Sequence, residues 1–473
     1  MGISIACLLG KIMGVIGVVL SGGKYRSFAY QHSIPVFLSC VFAILWSVTA
    51  LPHTLSVQYV SLVLGTFVSI FIIKGHCLNN KKAIPLALIA ILFFWVLIHL
   101  FFIGKNFELQ LLELDTIWKR ALLGSIFAIG LGISLASSTN LKFLWKVIVL
   151  GLAGPTFIFY LKYLASQVSS SWGIEIPLWL GLYKSSAEFY VPKISYVFFC
   201  IPCFGVAVGM IVSNFNRKEL NIKNFSGYAL LMTSILGLFY LENIKNGIAY
   251  AALLMSIGVI CILSSGKIRL AHKGLIAFGC FAVLITLLIK NVENNPSWKT
   301  FCADLVVALK ADPFDPHGYI LSSQYPLNED GVQVHPANYA RFVWGVGGLH
   351  LIKDNPLGFG LVQSSFGHLL KQRFPHTTGA QSHSGWLDLA LGIGLPGLGL
   401  VLVAGVLAIF NARQLTHPLN VLGPWFLGSS MLLWTTTEVA QKNYLNTFIW
   451  MIIFVASLSL GGQVQAGKVS ESL

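Results

Sequence analysis

Apolar runs long enough to cross a membrane dominate this chain and limit what it can fold into. Crossing about 30 Å of hydrocarbon takes roughly 17–25 mostly apolar helical residues. Runs of that kind recur near 34–51, 57–73, 83–103, 120–137, 142–164, 191–212, 227–241, 247–264, 273–290, 386–410, 421–437 and 444–461. In hydrocarbon each backbone polar group must be satisfied within its own segment, so such runs become helices. The expected fold is all-α: a polytopic membrane protein of about twelve transmembrane helices with one large loop that itself contains helices. Hydrophobic residues make up 56% and charged residues 10%, which excludes an ordinary water-soluble class. The division expected is about nine spans over 1–290, a loop domain over 291–385 and three spans over 386–473.

The net charge of +14 bears on topology, not on nucleic acid. With Lys24 and Arg26 on the cytoplasmic side, alternate connections carry Lys74, Lys81 and Lys82, then Lys142 and Lys146, Arg217, Lys218 and Lys223, Lys267, Arg269 and Lys273, and Arg413, with Lys468 in the tail. Of the acids, only Glu219 and Glu471 fall on that face, so nearly all the net positive charge is inside and both termini are expected in the cytoplasm. Ile3 to Leu20 is interrupted by Lys11 and lacks a cleavage pattern; it reads as an interfacial or half-inserted helix, not a cleavable signal. Of the eight cysteines, only Cys302 lies in the long polar loop, so no disulfide framework is expected, and Cys200 and Cys203 read as small core residues.

That parity places the segment from about Asn291 to Ser384 on the outer face. It is too long to be an idle connection. Within it, Pro336 to about Lys353 reads as a helix, started by a proline in its first turn and stopped at Asn355-Pro356. A glycine-punctuated turn follows over Asn355 to Gly360, then a basic segment, Lys371-Gln-Arg373, and His383 enters the next apolar run. Arg341, near the start of its helix, suits an anion such as phosphate, or equally lipid headgroups. His383, if its pKa is ordinary, is a competent base near neutral pH, or equally a helix cap. A smaller outer loop, Ser166 to Pro192, and the residue after it hold Trp172, Trp179, Tyr183, Lys184, Tyr190 and Lys193, and the turn Glu242 to Asn246 holds Lys245. A transporter is the reading from another class: the acids lie in loops or near span ends, which counts against it, whereas Gly151-Leu-Ala-Gly-Pro155 is a possible break in a span.

The stretch ARFVWGVGGLHLIKDNP from Ala340 to Pro356, the Pro-Leu-Gly-x-Gly turn from Pro356 to Gly360, and His383 followed by Gly-x-Gly-x-x-Gly from Gly392 to Gly397 together resemble the signature of the bacterial O-antigen ligase and polymerase superfamily. The resemblance is close over about 341–400 and looser over the rest. It implies glycosyl transfer at the periplasmic face of the inner membrane, from a glycan on undecaprenyl diphosphate, with no nucleotide sugar, metal or cofactor. By analogy Arg341 holds the donor diphosphate and His383 activates or orients the acceptor hydroxyl. The chain departs from the pattern at Lys245-Asn246-Gly247, where many members have an arginine, and in the smaller outer loop, where Lys184 and Lys193 stand where many members have another arginine. Lysine binds phosphate as a point charge without the bidentate fork. Arg373 is a further candidate for substrate binding. The resemblance is nearest to the ligase, whose acceptor is the lipid A-core oligosaccharide, with Lys371 and Arg373 as a basic rim and Trp344 and Trp386 as floors for sugar. The polymerase, or a protein O-oligosaccharyltransferase, is the alternative.

The charge asymmetry predicts a topology. Reporter fusions after Gly331 and after Leu473 are expected on opposite sides of the membrane; reports from the same side would mean the span count is off by one.

Overall fold

A computed structural model describes residues 33–74, 81–183, 187–217, 222–264, 296–319, 325–377, 381–437 and 442–470, with Gly379 and a few positions between 279 and 293. Ile3 to Leu20, Lys184 and most of 273–290 lie outside the described residues. The first helices are α1 (Ile34–Thr49), α2 (Leu55–Ile73), and α3 (Ile84–Ile98) with a π-helical turn at His99–Ile103. Next come α4 (Phe107–Glu113), which continues through a second π turn into α5 (Lys119–Ser137), α6 (Leu141–Trp172), α7 (Lys193–Arg217), α8 (Ile222–Leu241) and α9 (Lys245–Leu263). The loop supplies α10 (Phe301–Lys310), α11 (Pro336–Asp354) and α12 (Ser365–Arg373), and the chain returns to the bundle with α13 (Gly385–Arg413), α14 (Gly428–Leu433) and α15 (Lys442–Ser470).

Among the described residues, eight helices are long and apolar enough to cross a membrane, and three shorter apolar helices, Ile34–Thr49, Phe225–Leu241 and Leu419–Leu433, accompany them. The middle of the bundle is α7 with α15, both buried along most of their length. Around them the outer helices present bare apolar side chains, such as Leu150 at 71% exposure and Phe157 at 70%. A water-soluble surface does not carry so continuous an apolar belt, so this one is a membrane surface. The possible break at Gly151–Pro155 is not taken: α6 is continuous through Pro155. Those glycines let α1 come close instead, since a Cβ on Gly151 would fall 2.6 Å from Ala43 Cα and one on Gly154 would fall 1.8 Å from Ser47 Oγ.

The helix that does break is α13, at Gly394, where φ is +74°. Pro396 has no amide to return to Gly392, and the Leu395 amide leaves Leu391 to bond Pro356 O at 2.8 Å. The turn Pro356–Gly360 fills both vacated carbonyls: Phe359 N donates to Leu391 O at 2.7 Å and Gly360 N to Gly392 O at 2.8 Å. Side chains of α3 and its π turn hold the outer edge of the same joint. Trp95 Nε1 donates to Ile393 O at 2.7 Å, and the His99 ring bonds Leu357 O at 2.7 Å. One turn on, the Glu113 carboxylate accepts from the amides of both Val362 and Gln363 at 2.9 Å. The long loop is thereby keyed into the bundle by backbone.

Above this joint the loop has its own core around Tyr319, Tyr339, Val343, Phe366 and Leu370. Its first half supplies α10, and buried Asp304 ties α10 to the start of α11 by accepting from His335 N at 3.2 Å and Asn338 Nδ2 at 3.0 Å. The helix expected from Pro336 ends at Asp354, one residue beyond its expected limit.

The joint predicts an asymmetry between two glycines of one helix. At Gly394 a Cβ would lie 2.4 Å from the Leu357 carbonyl in a left-handed conformation, whereas at Gly399 nothing lies within 4 Å. Gly394→Ala is expected to cost about 2 kcal/mol or more, and Gly399→Ala to be neutral or to stabilise by up to ~1 kcal/mol. Thermal unfolding in detergent reads the difference.

Candidate functional site

Helix α11 needs no side-chain cap to start, because Pro336 gives up no useful amide there. Arg341 then falls in its second turn, exposed. His383 is placed from the other side by the residues that open α13. The Asp388 carboxylate, buried in the first turn of α13, accepts from Ser382 N at 2.9 Å, and Ser382 Oγ accepts from Ser384 N at 3.2 Å. Between these fixed points His383 takes φ +57°, a left-handed conformation that a residue with a Cβ holds only when its surroundings impose it. Its ring stacks on Trp344 of α11, with centroids 5.0 Å apart and planes 11° apart. Trp344 is itself held by a 2.7 Å bond from its indole to Gly318 O.

The two elements enclose a cavity of about 440 Å³, lined by Arg341, Asn338 and Phe342 from α11, by Ser382, His383 and Ser384, by Lys245, Asn246 and Tyr250 of α9, and by Thr435 and Thr436. Trp298 and Phe301 cover part of it. Among the described residues, two cations and many hydroxyl or amide groups line the cavity, and no carboxylate does. Arg341 acts electrostatically on both Lys245 and His383. Burial first, and the Arg341 charge second, push His383 down to about 4, so the expectation of an ordinary imidazole pKa is corrected. The ring stays neutral far below pH 7 and is a weaker base than a free imidazole.

The sequence candidates separate clearly. Arg341, His383 and Lys245 come together, and exposed Lys193 at the start of α7 lies within electrostatic reach of Lys245 and of half-buried Glu242 without lining the cavity. Burial raises the Glu242 carboxyl and the Lys193 charge lowers it, with burial the larger influence. Arg373 stands apart: its guanidinium pairs with Asp354 at 3.5 Å and lies 3.9 Å from the Phe314 ring centre. Trp344 supports His383, but Trp386 packs against Trp434 and Phe448 inside the bundle. Sequence reasoning missed Asn338, Tyr250, Thr435 and Thr436, and it missed the positioning role of Asp388. Asp388 had a visible signal, as the sole acid in the run 386–410. Among the described residues no three His, Cys, Asp or Glu side chains cluster as a metal site would require.

The chain matches no family model, and no curated protein matches it.

The depressed pKa sets a pH dependence. Below the ordinary value of 6.5 an unfolded chain protonates His383, while the folded chain refuses the proton until about pH 4. Stability from this group is thus complete above 6.5 and is lost as the pH falls from 6.5 towards 4. Histidine NMR is expected to show one ring titrating near 4, and Arg341→Gln is expected to raise that midpoint partway, since burial remains. An unchanged midpoint would mean that the Arg341 charge does not reach His383.

Proposed function

We propose that this protein is an O-antigen ligase: a metal-independent glycosyltransferase of the inner membrane that moves a polysaccharide from undecaprenyl diphosphate to the lipid A-core oligosaccharide at the periplasmic face. The observation that carries this reading is that Arg341, Lys245 and His383 share one cavity, with no carboxylate among its described lining residues. Such a cavity suits an anion, and its volume falls in the range of small-ligand sites.

In the transfer, the acceptor hydroxyl oxygen attacks the anomeric carbon of the donor sugar and the bond from that carbon to the diphosphate oxygen breaks. Charge grows on the departing diphosphate, where the Arg341 fork and the Lys245 ammonium stabilise it. His383, neutral throughout the physiological range, accepts a hydrogen bond from the attacking hydroxyl and orients it. Its basicity rises when the donor binds, because the diphosphate offsets the Arg341 charge that otherwise opposes protonation. The hydroxyl proton leaves through His383 as the new bond closes. Trp344, stacked on the ring, limits its rotation.

The assignment of the acceptor rests on the resemblance and on exposed Lys371. Arg373 does not add to it, being engaged with Asp354 and Phe314. The broken helix α13 does not favour a transporter, since its freed carbonyls are met by amides of the turn.

Arg341→Ala is expected to abolish transfer while the protein still reaches the membrane, and Arg341→Lys to keep a small residual activity. Loss of expression in parallel with activity would make Arg341 structural. Cells without the protein are expected to make core-only lipopolysaccharide and to accumulate long glycan on undecaprenyl diphosphate. A single repeat unit attached to the core would instead identify a polymerase.

A further inference from the structure

A second cationic site lies where α1 ends and α2, α5 and α15 begin. Arg120, in the first turn of α5, is 6% exposed. Its guanidinium donates to two neutral amide oxygens, Gln58 Oε1 at 2.7 Å and Asn443 Oδ1 at 3.1 Å, and lies 4.9 Å from the Tyr59 ring centre. Among the described residues no carboxylate pairs with it. A buried charge without a countercharge is expensive, and amide oxygens offset only part of that cost.

Arg120 also borders a cavity of about 40 Å³, shared with Trp46, Trp450, Asn446 and Thr49. Several buried polar atoms on these residues have no hydrogen-bond partner: Arg120 Nε, the indole nitrogens of Trp46 and Trp450, and both amide atoms of Asn446. Trp46 is 3% and Trp450 5% exposed, so bulk water does not serve them. Apart from Asn446 Oδ1, these are N–H groups that can only donate. Water would accept from some of the N–H groups but would find only Asn446 Oδ1 among these atoms for its own protons; an anion accepts from every N–H group. The volume holds about three water-sized occupants. That suits a single compact ion and leaves little room for an esterified headgroup. No residue lines both this cavity and the one at Arg341 and His383.

We propose that this cavity binds one small inorganic anion of the halide class, held by the Arg120 guanidinium, the two indole N–H groups and the Asn446 amide, which braces the meeting point of the four helices. This role does not rest on the glycosyltransferase reading.

The test is thermal unfolding of the purified full-length protein in detergent at constant pH and ionic strength, with chloride exchanged for gluconate. Chloride is expected to raise Tm saturably, by about 3–5 °C at 100-fold over half-saturation. Trp46→Phe and Trp450→Phe each remove one donor and keep an aromatic ring; each is expected to raise the half-saturating concentration about tenfold. Arg120→Gln is expected to abolish the response, and if that variant does not fold, the two tryptophan variants still decide. A flat Tm in chloride for the wild type, or an unchanged chloride response in both tryptophan variants, would overturn the proposal. Parallel series in inorganic phosphate and in phosphatidylglycerol micelles separate the other sources: a response to either one and none to chloride would give the cavity to a phosphate group and reject the halide.

Discussion

Helix α13 gives up one turn of its own hydrogen bonds at Gly394 and Pro396, and the turn Pro356–Gly360 takes them over. The exchange is complete on both sides, which is why a broken helix can persist: the carbonyls of Leu391 and Gly392 trade partners within the turn, and the Leu395 amide finds Pro356 O. Only glycine at 358 and 394 allows the two backbones to come this close. With the joint made, the end of α11 and the middle of α13 are fixed to each other, and with them Arg341 on α11 and His383 in the segment that leads into α13.

Among the described residues, the charges those side chains meet are cationic. Arg341 and Lys245 repel each other across the cavity, and burial first, with the Arg341 charge second, keeps a proton off His383. The carboxylates nearby serve the scaffold: Asp388 accepts from the Ser382 amide, Asp304 from the start of α11, and Glu113 from the amides after the turn. Acid groups thus hold the walls in place while basic groups face the space between them. A scaffold that fixes like charges next to each other is complementary to an anion that would offset them.

The sequence made some of this plain. Hydrophobic run length identified an all-helical membrane protein, because a run of that length admits few alternatives. Pro336 and Asn355-Pro356 bracketed α11, since proline acts on the local backbone whatever surrounds it. The order Arg341, glycine turn, His383 marked the cavity. Other features depended on tertiary structure and had no local signal. The π turn that brings His99 to Leu357 O, the approach of Lys245 from a helix nearly a hundred residues upstream, and the diversion of Arg373 to Asp354 are decided by what the fold brings near. The lowered pKa of His383 belongs with them, because it follows from burial and from a neighbour forty-two positions away. At Gly151–Pro155 the sequence left a break open, and α6 instead continues through the pair and uses its glycines to admit α1.

The partners of the turn Pro356–Gly360 lie on opposite sides of it in the chain. Trp95, His99 and Glu113 are translated some 250 residues before it, whereas Leu391 and Gly392 follow it by about thirty. A nascent chain that has just completed the turn already has one half of its seat in the bilayer and lacks the other. Full seating must wait for α13 to be synthesised, so the cavity takes its final shape late in biogenesis, and the bundle that precedes the loop is translated before any of the chemistry it supports can be assembled.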